Sequence, residues 1–174
     1  MPLMRAVQIA RPGADLVLVE MEIPEPRERE VLLKVEACGV CHGDAVARFG
    51  ARPGTGYPRV PGHEVVGTVV KQGPGVTAWK QGMRVGVGWS GGWCGVCEAC
   101  GEGRHHECRD SWITGLSVDG GYAEYMVART SALVSIPDEL SSADARRFCA
   151  RALPPSAPCR KAGPPAARSS PSTA

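Results

Sequence analysis

Several features that define common protein classes are scarce or missing in this 174-residue sequence. No apolar run is long enough to span a membrane, and the opening MPLMRAVQIA lacks the apolar stretch of a secretory signal. Aromatic residues make up only 5%, whereas 22 Gly and 15 Pro interrupt the chain. Few aromatics with many turn residues disfavour a helical bundle. The sequence therefore predicts a turn-rich globular protein of the cytoplasm, without a membrane partner.

Charge is unevenly distributed along the chain, because its last part contains no acidic residues. The formal net charge is +2, but residues 145–174 hold six Lys or Arg and no Asp or Glu, so the first 144 residues carry a net charge of −4. The body therefore has no basic footprint for nucleic acid. Residues 145–174 also contain six Pro and no apolar periodicity, which predicts a disordered tail after a folded region at 1–144.

Short strands dominate the pattern of the folded region. Seven segments have the alternation or β-branched content of strands and are separated by Gly- and Pro-rich turns. This arrangement is typical of a partly open β-barrel or a sandwich. A short helix is predicted at His42–Phe49, and another begins with Ser141 or Ser142 as N-cap. The predicted strands are Arg5–Ile9, Leu16–Ile23, Glu30–Ala37, Val65–Lys71, Met83–Val87, Tyr122–Val127 and Ala132–Ile136.

Four cysteines with the spacing C-x2-C-x2-C-x7-C form the strongest motif, and they are Cys94, Cys97, Cys100 and Cys108. Four thiolates in one Gly-rich loop suit a closed, tetrahedral zinc site. An iron–sulfur cluster is disfavoured, because ferredoxin-type runs place the fourth Cys three residues on and follow it with Pro. A disulfide is disfavoured in a chain without a secretory signal. The motif therefore predicts a zinc lobe at about 91–110, with His105 and His106 in solvent rather than on the metal.

Cys41, in ACGVCHGDA, and His63, in PGHEVVG, are a second candidate pair. Neither is specific alone, since a lone Cys is usually a small buried apolar residue. However, residues 62–76 fit G-H-E-x2-G-x5-G-x2-V. With Cys41 before this motif and the four-cysteine loop after it, the chain resembles the zinc-containing alcohol dehydrogenases of the medium-chain dehydrogenase/reductase family. The resemblance covers roughly residues 4–144 and only the N-terminal, GroES-like catalytic domain; DGGYAEYMVA at 119–128 is similar to the family strand after the zinc lobe.

The resemblance implies a mainly β fold, a GroES-like partly open β-barrel with a zinc lobe and a few short helices. It also implies roles around a catalytic zinc. Cys41 and His63 match two of its three protein ligands, and Glu64 matches an acidic neighbour that can ligate the metal transiently. Asp44 matches the carboxylate that orients the zinc-bound His, which fixes its tautomer.

Further positions follow from the same resemblance. His42 is similar to the residue that contacts the cofactor pyrophosphate, and Trp89 to an aromatic wall of the alcohol pocket, although Trp89 can equally be a packing residue at the barrel edge. Cys38 is expected in the core. Gly43 departs from the family, which usually has a Ser or Thr hydroxyl there as the first member of a proton relay. Water or His42 would then take over, or alcohol oxidation would be slowed.

The implied activity is hydride transfer between a primary or secondary alcohol, or its aldehyde or ketone, and NAD or NADP, with zinc as a Lewis acid. A dinucleotide-binding βαβ unit is not identified in the sequence, so the chain alone is expected to be inactive. The alternative is a non-catalytic zinc-binding module of GroES-like fold with an interaction role. A quinone reductase without zinc is disfavoured by the cysteine motifs. Family members are homo-oligomers.

The tail suggests why the third ligand and the cofactor domain are not found. The family continues with a run such as APLLCAGVTT, whose Cys is the third ligand of the catalytic zinc. Codons can be chosen for the residues from Arg146 onward that, in another frame, encode PLLCAGVTT. We therefore hypothesise that residues 145–174 are an out-of-frame product, in which Cys149 is not the third ligand. The coding DNA tests this hypothesis.

Overall fold

The computed structural model describes residues 2–52 and 55–149, the last three by their backbone alone. Every predicted strand is present, with ends that differ by a few residues. No helix among these residues is long and apolar enough to cross a membrane. The strands are β1 Leu3–Ile9, β2 Leu16–Glu22, β3 Glu30–Cys38, β4 Val65–Gln72, β5 Arg84–Val87, β6 Tyr125–Arg129 and β7 Leu133–Ser135, and the helices are α1 Gly43–Phe49, α2 Glu98–Gly101 and α3 Ser142–Cys149.

Five of the strands form one antiparallel sheet in the order β6-β3-β4-β5-β7, while β1 and β2 pair as a separate hairpin. The sheet curls into a half-barrel around a core of alternate side chains. Val31 and Leu33 of β3 and Val65 and Val69 of β4 are fully buried, as the period of two in a strand requires. Burial of each such side chain contributes about 1.5–3 kcal/mol. The mainly β, GroES-like architecture predicted from the sequence is confirmed.

The register of three neighbouring strands gathers the loops that carry the candidate site. Cys38, at the end of β3, pairs with Val65, at the start of β4. Val65 also pairs with Val87, at the end of β5. The amide of Gly39 donates to the carbonyl of Glu64 at 2.9 Å, which extends the ladder by one step. The loops that follow β3 and β5 and the loop that precedes β4 therefore meet at one end of these three strands.

The four-cysteine lobe is an excursion between β5 and β6. Ser90 and Ile113 form an isolated bridge at its base, and Trp112 exchanges backbone hydrogen bonds of 2.9 Å with Gly91 and Gly92. On the barrel side, Arg129 binds the Asp110 carboxylate at 2.7 Å and stacks over the Trp112 ring, 3.9 Å from its centroid. The four cysteines therefore lie in the segment enclosed by the Ser90–Ile113 bridge, and a zinc lobe at about 91–110 stays a prediction.

Helix α3 closes the described part of the chain. Ser141 is its N-cap, because its Oγ accepts from the amide of Asp144 at 3.2 Å. Ala145 is fully buried and packs with Val66 and Ile136, which fixes the helix on the sheet. The boundary predicted after residue 144 therefore falls inside a helix, and residues 145–149 are helical where a disordered tail was expected. The remaining tail, 150–174, lies outside the described residues.

Candidate functional site

Cys41, His63 and Glu64 converge where the three strand ends meet. One ligand atom from each, the cysteine Sγ, an imidazole nitrogen and a carboxylate oxygen, lies within 4.8 Å of the others. Cys41 belongs to the loop between β3 and α1, while His63 and Glu64 directly precede β4. The structure thus brings together three residues that the sequence analysis named as a group. A soft thiolate, an imidazole and a carboxylate are ligands that zinc accepts.

The His63 ring is turned so that one nitrogen faces a carboxylate. Its side chain is only 4% exposed, and Nδ1 lies 3.2 Å from Oδ1 of Asp44. Nδ1 is fully buried, and among the described residues it finds no partner in good hydrogen-bond alignment, although Oδ1 of Asp44 is near. Because Nδ1 faces the Asp44 carboxylate, Nε2 is the nitrogen left for a metal. These donors fit a zinc ion.

Asp44 is held in place by its other contacts. Its Oδ2 accepts from the Cys41 amide at 2.9 Å and from the Tyr122 hydroxyl at 2.7 Å, and its Oδ1 accepts from the Gly62 amide at 3.2 Å. Burial by itself would raise the pKa of the Asp44 carboxyl, but the contact with His63 and the hydrogen bonds to Oδ2 outweigh it and hold the pKa below its usual range. The carboxylate therefore stays ionised and faces the imidazole.

Trp89 closes one side of this cluster, directly after β5. Its ring meets the His63 ring edge to face, with centroids 4.8 Å apart and planes at 89°. It also packs against the small apolar cluster of Ile9, Ala47 and Leu116. The packing role considered for Trp89 is thus observed, and its role as an aromatic wall of an alcohol pocket stays a prediction. The residue expected to contact the cofactor, His42, is exposed at the start of α1.

Gly43 is in contact with the same two rings. A Cβ at Gly43 would lie 2.8 Å from Cε1 of His63 and 2.9 Å from Cζ3 of Trp89. Both distances are shorter than real Cβ contacts, and both neighbours are rigid ring atoms. A relay hydroxyl at this position, as the resemblance to the family suggests, therefore has no room unless one ring moves.

The four lobe cysteines form the second donor cluster. Their sulfur atoms all lie within 4.8 Å of one another, with Cys94 and Cys108 only 3.6 Å apart. None of the cysteines whose side chains are described forms a disulfide. Such a set of four close sulfurs fits a closed zinc site and agrees with the prediction from spacing.

Backbone groups prepare part of this cluster for the thiolate form that a metal needs. N–H groups of Val96 and Cys97 lower the pKa of the Cys94 thiol to about 6. The pKa of Cys97 is also lowered, chiefly by the N–H of Cys100. Burial raises the pKa of Cys100 to about 12. A metal ion would therefore displace a proton from Cys100 when it binds.

The two histidines of the lobe differ from each other. His106 is exposed, as expected. His105 is only partly exposed, because its ring stacks on Trp93 with centroids 4.2 Å apart. Neither belongs to the sulfur cluster among the described residues. The stack explains the difference, because burying the two ring faces against each other removes apolar surface from water.

A glycine pattern that was not expected begins within β5 and continues past its end. Gly86, Gly88 and Gly91 have the spacing G-x-G-x-x-G of dinucleotide-binding turns. Here the chain continues into the lobe rather than into a helix, and the Gly91 amide donates to the carbonyl of Trp112 at 2.9 Å. That amide is therefore not free to bind a phosphate, and the pattern is a coincidence of spacing.

Tyr122 is the site residue that the sequence did not reveal. It lies in the DGGYAEYMVA segment, which was recognised only as a strand, and its hydroxyl contacts Asp44 across 78 positions of sequence. Tyr122 could have been found only from the position of this segment beside β3. The carbonyl of Glu124 accepts from the Val35 amide at 2.9 Å, and this pairing places the preceding loop against the end of the sheet.

Comparison with known proteins identifies the family of this arrangement. Residues 27–138 match the alcohol dehydrogenase GroES-like domain. Alcohol dehydrogenase patD of Aspergillus clavatus is 50% identical over 130 residues, which cover 75% of this chain and 33% of that protein. An alcohol dehydrogenase of Geobacillus stearothermophilus is 43% identical over 149 residues, which cover 84% of this chain and 44% of the relative. The chain thus spans less than half the length of these relatives.

Solved structures of alcohol dehydrogenases have the same fold as this chain. The cobalt- and zinc-bound thermostable alcohol dehydrogenase from Pyrobaculum aerophilum superimposes with a TM-score of 0.73 at 35% identity, covering 83% of this chain and 44% of that one. An E. coli alcohol dehydrogenase (rspB) complexed with NADH gives a TM-score of 0.73 at 32% identity, covering 85% and 42%. Because the family match spans most of the chain and the fold agrees, the chain belongs to the alcohol dehydrogenase family and carries its GroES-like domain.

Proposed function

We propose that this chain is the zinc-binding catalytic domain of an NAD- or NADP-linked alcohol dehydrogenase, acting on a small primary or secondary alcohol or on the matching aldehyde or ketone. The observation that carries the proposal is the convergence of Cys41, His63 and Glu64 within 4.8 Å, beside the partly buried carboxylate of Asp44. A site of this composition with an open position is typical of catalytic rather than structural zinc.

Each residue of this site would have a separate role. Cys41 and His63 would hold the zinc, with Glu64 as a further oxygen ligand. When bound, the ion would supply Lewis acidity toward the oxygen of the substrate. Asp44 keeps His63 in the tautomer with Nδ1–H, which leaves the Nε2 lone pair free. Trp89 excludes water from one side of the cluster and gives the substrate an apolar wall.

His42 would meet the cofactor. Its exposed imidazole at the start of α1 is free to approach a pyrophosphate held by a neighbouring domain. The hydride acceptor would be bound by that domain, and without it we expect this chain to be inactive. Gly43 has no hydroxyl, so the proton of the alcohol would leave through water or His42.

The lobe would hold a second, structural zinc through Cys94, Cys97, Cys100 and Cys108. Its role is stability, since the lobe contains few apolar residues besides Trp93 and the cysteines themselves. Thiols in such a cluster have to remain reduced, which suits a cytoplasmic location.

A chimera tests the function directly. Residues 1–144 would replace the matching part of the Geobacillus stearothermophilus alcohol dehydrogenase, which supplies a cofactor domain. We expect NAD- or NADP-dependent oxidation of small alcohols, abolished by Cys41→Ser and retained in Cys38→Ser, a matched change outside both donor clusters. A folded, zinc-loaded chimera that binds cofactor yet oxidises no alcohol would refute the proposal and favour the non-catalytic zinc module.

A further inference from the structure

Tyr122 connects the strand after the lobe to the candidate metal site. Its hydroxyl donates to Oδ2 of Asp44 at 2.7 Å and lies 3.3 Å from the carbonyl oxygen of Gly39. The bond to the carboxylate is the shorter, and it is the stronger because its acceptor is charged. Burial, and then the bond to Asp44, raise the pKa of the phenol above its usual value, so the hydroxyl keeps its proton and remains a donor.

The backbone fixes Tyr122 in this position. Its amide donates to the carbonyl of Pro61 at 3.0 Å, and the preceding Gly121 amide donates to the carbonyl of Gly62 at 2.9 Å. The Tyr122 ring packs directly on the backbone of Gly62, the residue before His63. A Cβ at Gly62, whose φ is +96°, would lie only 2.6 Å from Cδ1 of Tyr122. The phenol therefore has little freedom to point elsewhere.

We propose that Tyr122 is a positioning residue for His63, acting through the Asp44 carboxylate. The carboxylate has two oxygens, and each is fixed by a backbone amide, from Cys41 on Oδ2 and from Gly62 on Oδ1. The phenol supplies the third hydrogen bond and prevents the carboxylate from rotating about its Cβ–Cγ bond. Oδ1 then stays 3.2 Å from Nδ1 of His63, and Nε2 points to the metal position.

This inference rests on the proposed function only in taking His63 as a metal ligand. Tyr122→Phe removes the hydroxyl and keeps the ring that packs on Gly62. Tyr125→Phe, the same change three residues on in β6, is the matched control. Both are made in the full 174-residue chain, and the lobe is first filled with zinc so that it takes no part.

The first readout needs no metal at the Cys41 cluster. Nitrogen-15 spectra of the histidine side chains, above the pH at which imidazole is protonated, report the tautomer of His63, assigned with His63→Gln. We expect one tautomer, with the proton on Nδ1, in the wild type and Tyr125→Phe. Tyr122→Phe should give a mixture with the proton on Nε2. An unchanged single tautomer in folded Tyr122→Phe would overturn the proposal.

The second readout is Co²⁺ binding at the Cys41 cluster, followed by the thiolate charge-transfer band that Cys41→Ser removes. Loss of the group that hydrogen-bonds a metal-binding His typically weakens metal affinity about 10–100-fold. Tyr122 acts one contact further out, so for Tyr122→Phe alone we expect a loss of about tenfold at most. In an Asp44→Asn background the second change should add nothing, because the route through the carboxylate is already gone. Full additivity, or a loss below twofold, would contradict the proposal.

Two further measurements distinguish a variant that does not fold, or a wrong proposed function, from a wrong role for Tyr122. If Tyr122→Phe does not fold, the Tyr122 hydroxyl proton is followed in the wild type, where we expect slow exchange that Asp44→Asn accelerates; a fast-exchanging proton in the wild type would rule out the fixed bond. If the chimera is inactive while Tyr122→Phe still changes the His63 tautomer, the proposed function fails and the role of Tyr122 stands.

Discussion

The rings of His63 and Trp89 meet edge to face with their centroids 4.8 Å apart, and this contact depends on the glycine at position 43. A Cβ on Gly43 would lie 2.8 Å from the first ring and 2.9 Å from the second. From sequence alone, Gly43 is a missing relay hydroxyl, and a threonine there should raise alcohol oxidation. The structure leads to the opposite expectation, since the side chain would displace a candidate metal ligand.

Gly43→Ala and Gly43→Thr should therefore weaken Co²⁺ binding at the Cys41 cluster and lower the free energy of unfolding. Overpacking of this kind costs about 1–3 kcal/mol. Cobalt titration and urea unfolding measure the two effects. Trp89→Leu removes one of the two clashing rings, so part of the loss from Gly43→Ala should disappear in that background. A Gly43→Thr protein that binds cobalt as tightly as the wild type would show that the rings adjust without cost.

The lobe should hold one zinc ion tightly, whereas the Cys41 cluster should hold its metal weakly. Four sulfurs saturate a tetrahedral ion, but Cys41 and His63 are only two firm ligands supplemented by Glu64. Metal analysis after dialysis against a mild chelator should give nearer one zinc than two per chain. Cys97→Ser should abolish the tight site and make 91–110 sensitive to protease, while Cys38→Ser should do neither. A metal-free lobe that resists protease would contradict this.

The strands were predictable for a simple physical reason. Both β3 and β4 begin with a run of buried residues, among them Leu32 and Leu33 in β3 and Val65 and Val66 in β4, and a short run of β-branched and apolar residues between turn signals indicates a buried strand. The cluster of four lobe cysteines was predictable because their spacing is typical of a metal site, whereas Cys41 and His63 were named as candidate ligands only from the resemblance to the family. The contacts of Tyr122 were not, because no local spacing records an approach between segments 78 positions apart.

Helix α3 is held by a polar contact of the same non-local kind. Ser142 donates to Oε2 of Glu36 at 2.5 Å, and Arg84 donates to Oγ of Ser142 at 2.9 Å and to the Leu140 carbonyl at 2.9 Å. Partial burial would raise the pKa of Glu36, but the hydrogen bonds from Ser142 and Thr68, with the nearby Arg84, outweigh it and lower the pKa. The ionised carboxylate therefore stabilises this end of the fold.

The lowered pKa of Glu36 predicts a loss of stability in acid. A carboxyl whose pKa is lower in the folded state contributes stability above its unfolded pKa, about 4.3 for Glu, and loses it as pH falls through the folded value. Urea unfolding from pH 7 to pH 3 should show the wild type more stable than Glu36→Gln at neutral pH, with the difference shrinking at the acid end. Glu22→Gln, at an exposed position of β2, is the control. A constant difference across this range would contradict the assignment.

The isolated chain should not turn over alcohol even with both metal sites filled. Hydride transfer needs a nicotinamide held at the substrate, and the described strands pair only in antiparallel fashion, with no parallel βαβ unit to bind one. The single G-x-G-x-x-G spacing is part of the lobe base, where the Gly91 amide is already bonded to Trp112. The zinc-loaded chain would be incubated with NAD or NADP and a panel of primary and secondary alcohols. Formation of reduced nicotinamide would be followed by absorbance, and the active chimera would be the positive control. Turnover by the 174-residue protein that disappears in Cys41→Ser would reveal a cofactor site within this chain, whereas turnover that survives this change would come from a contaminant.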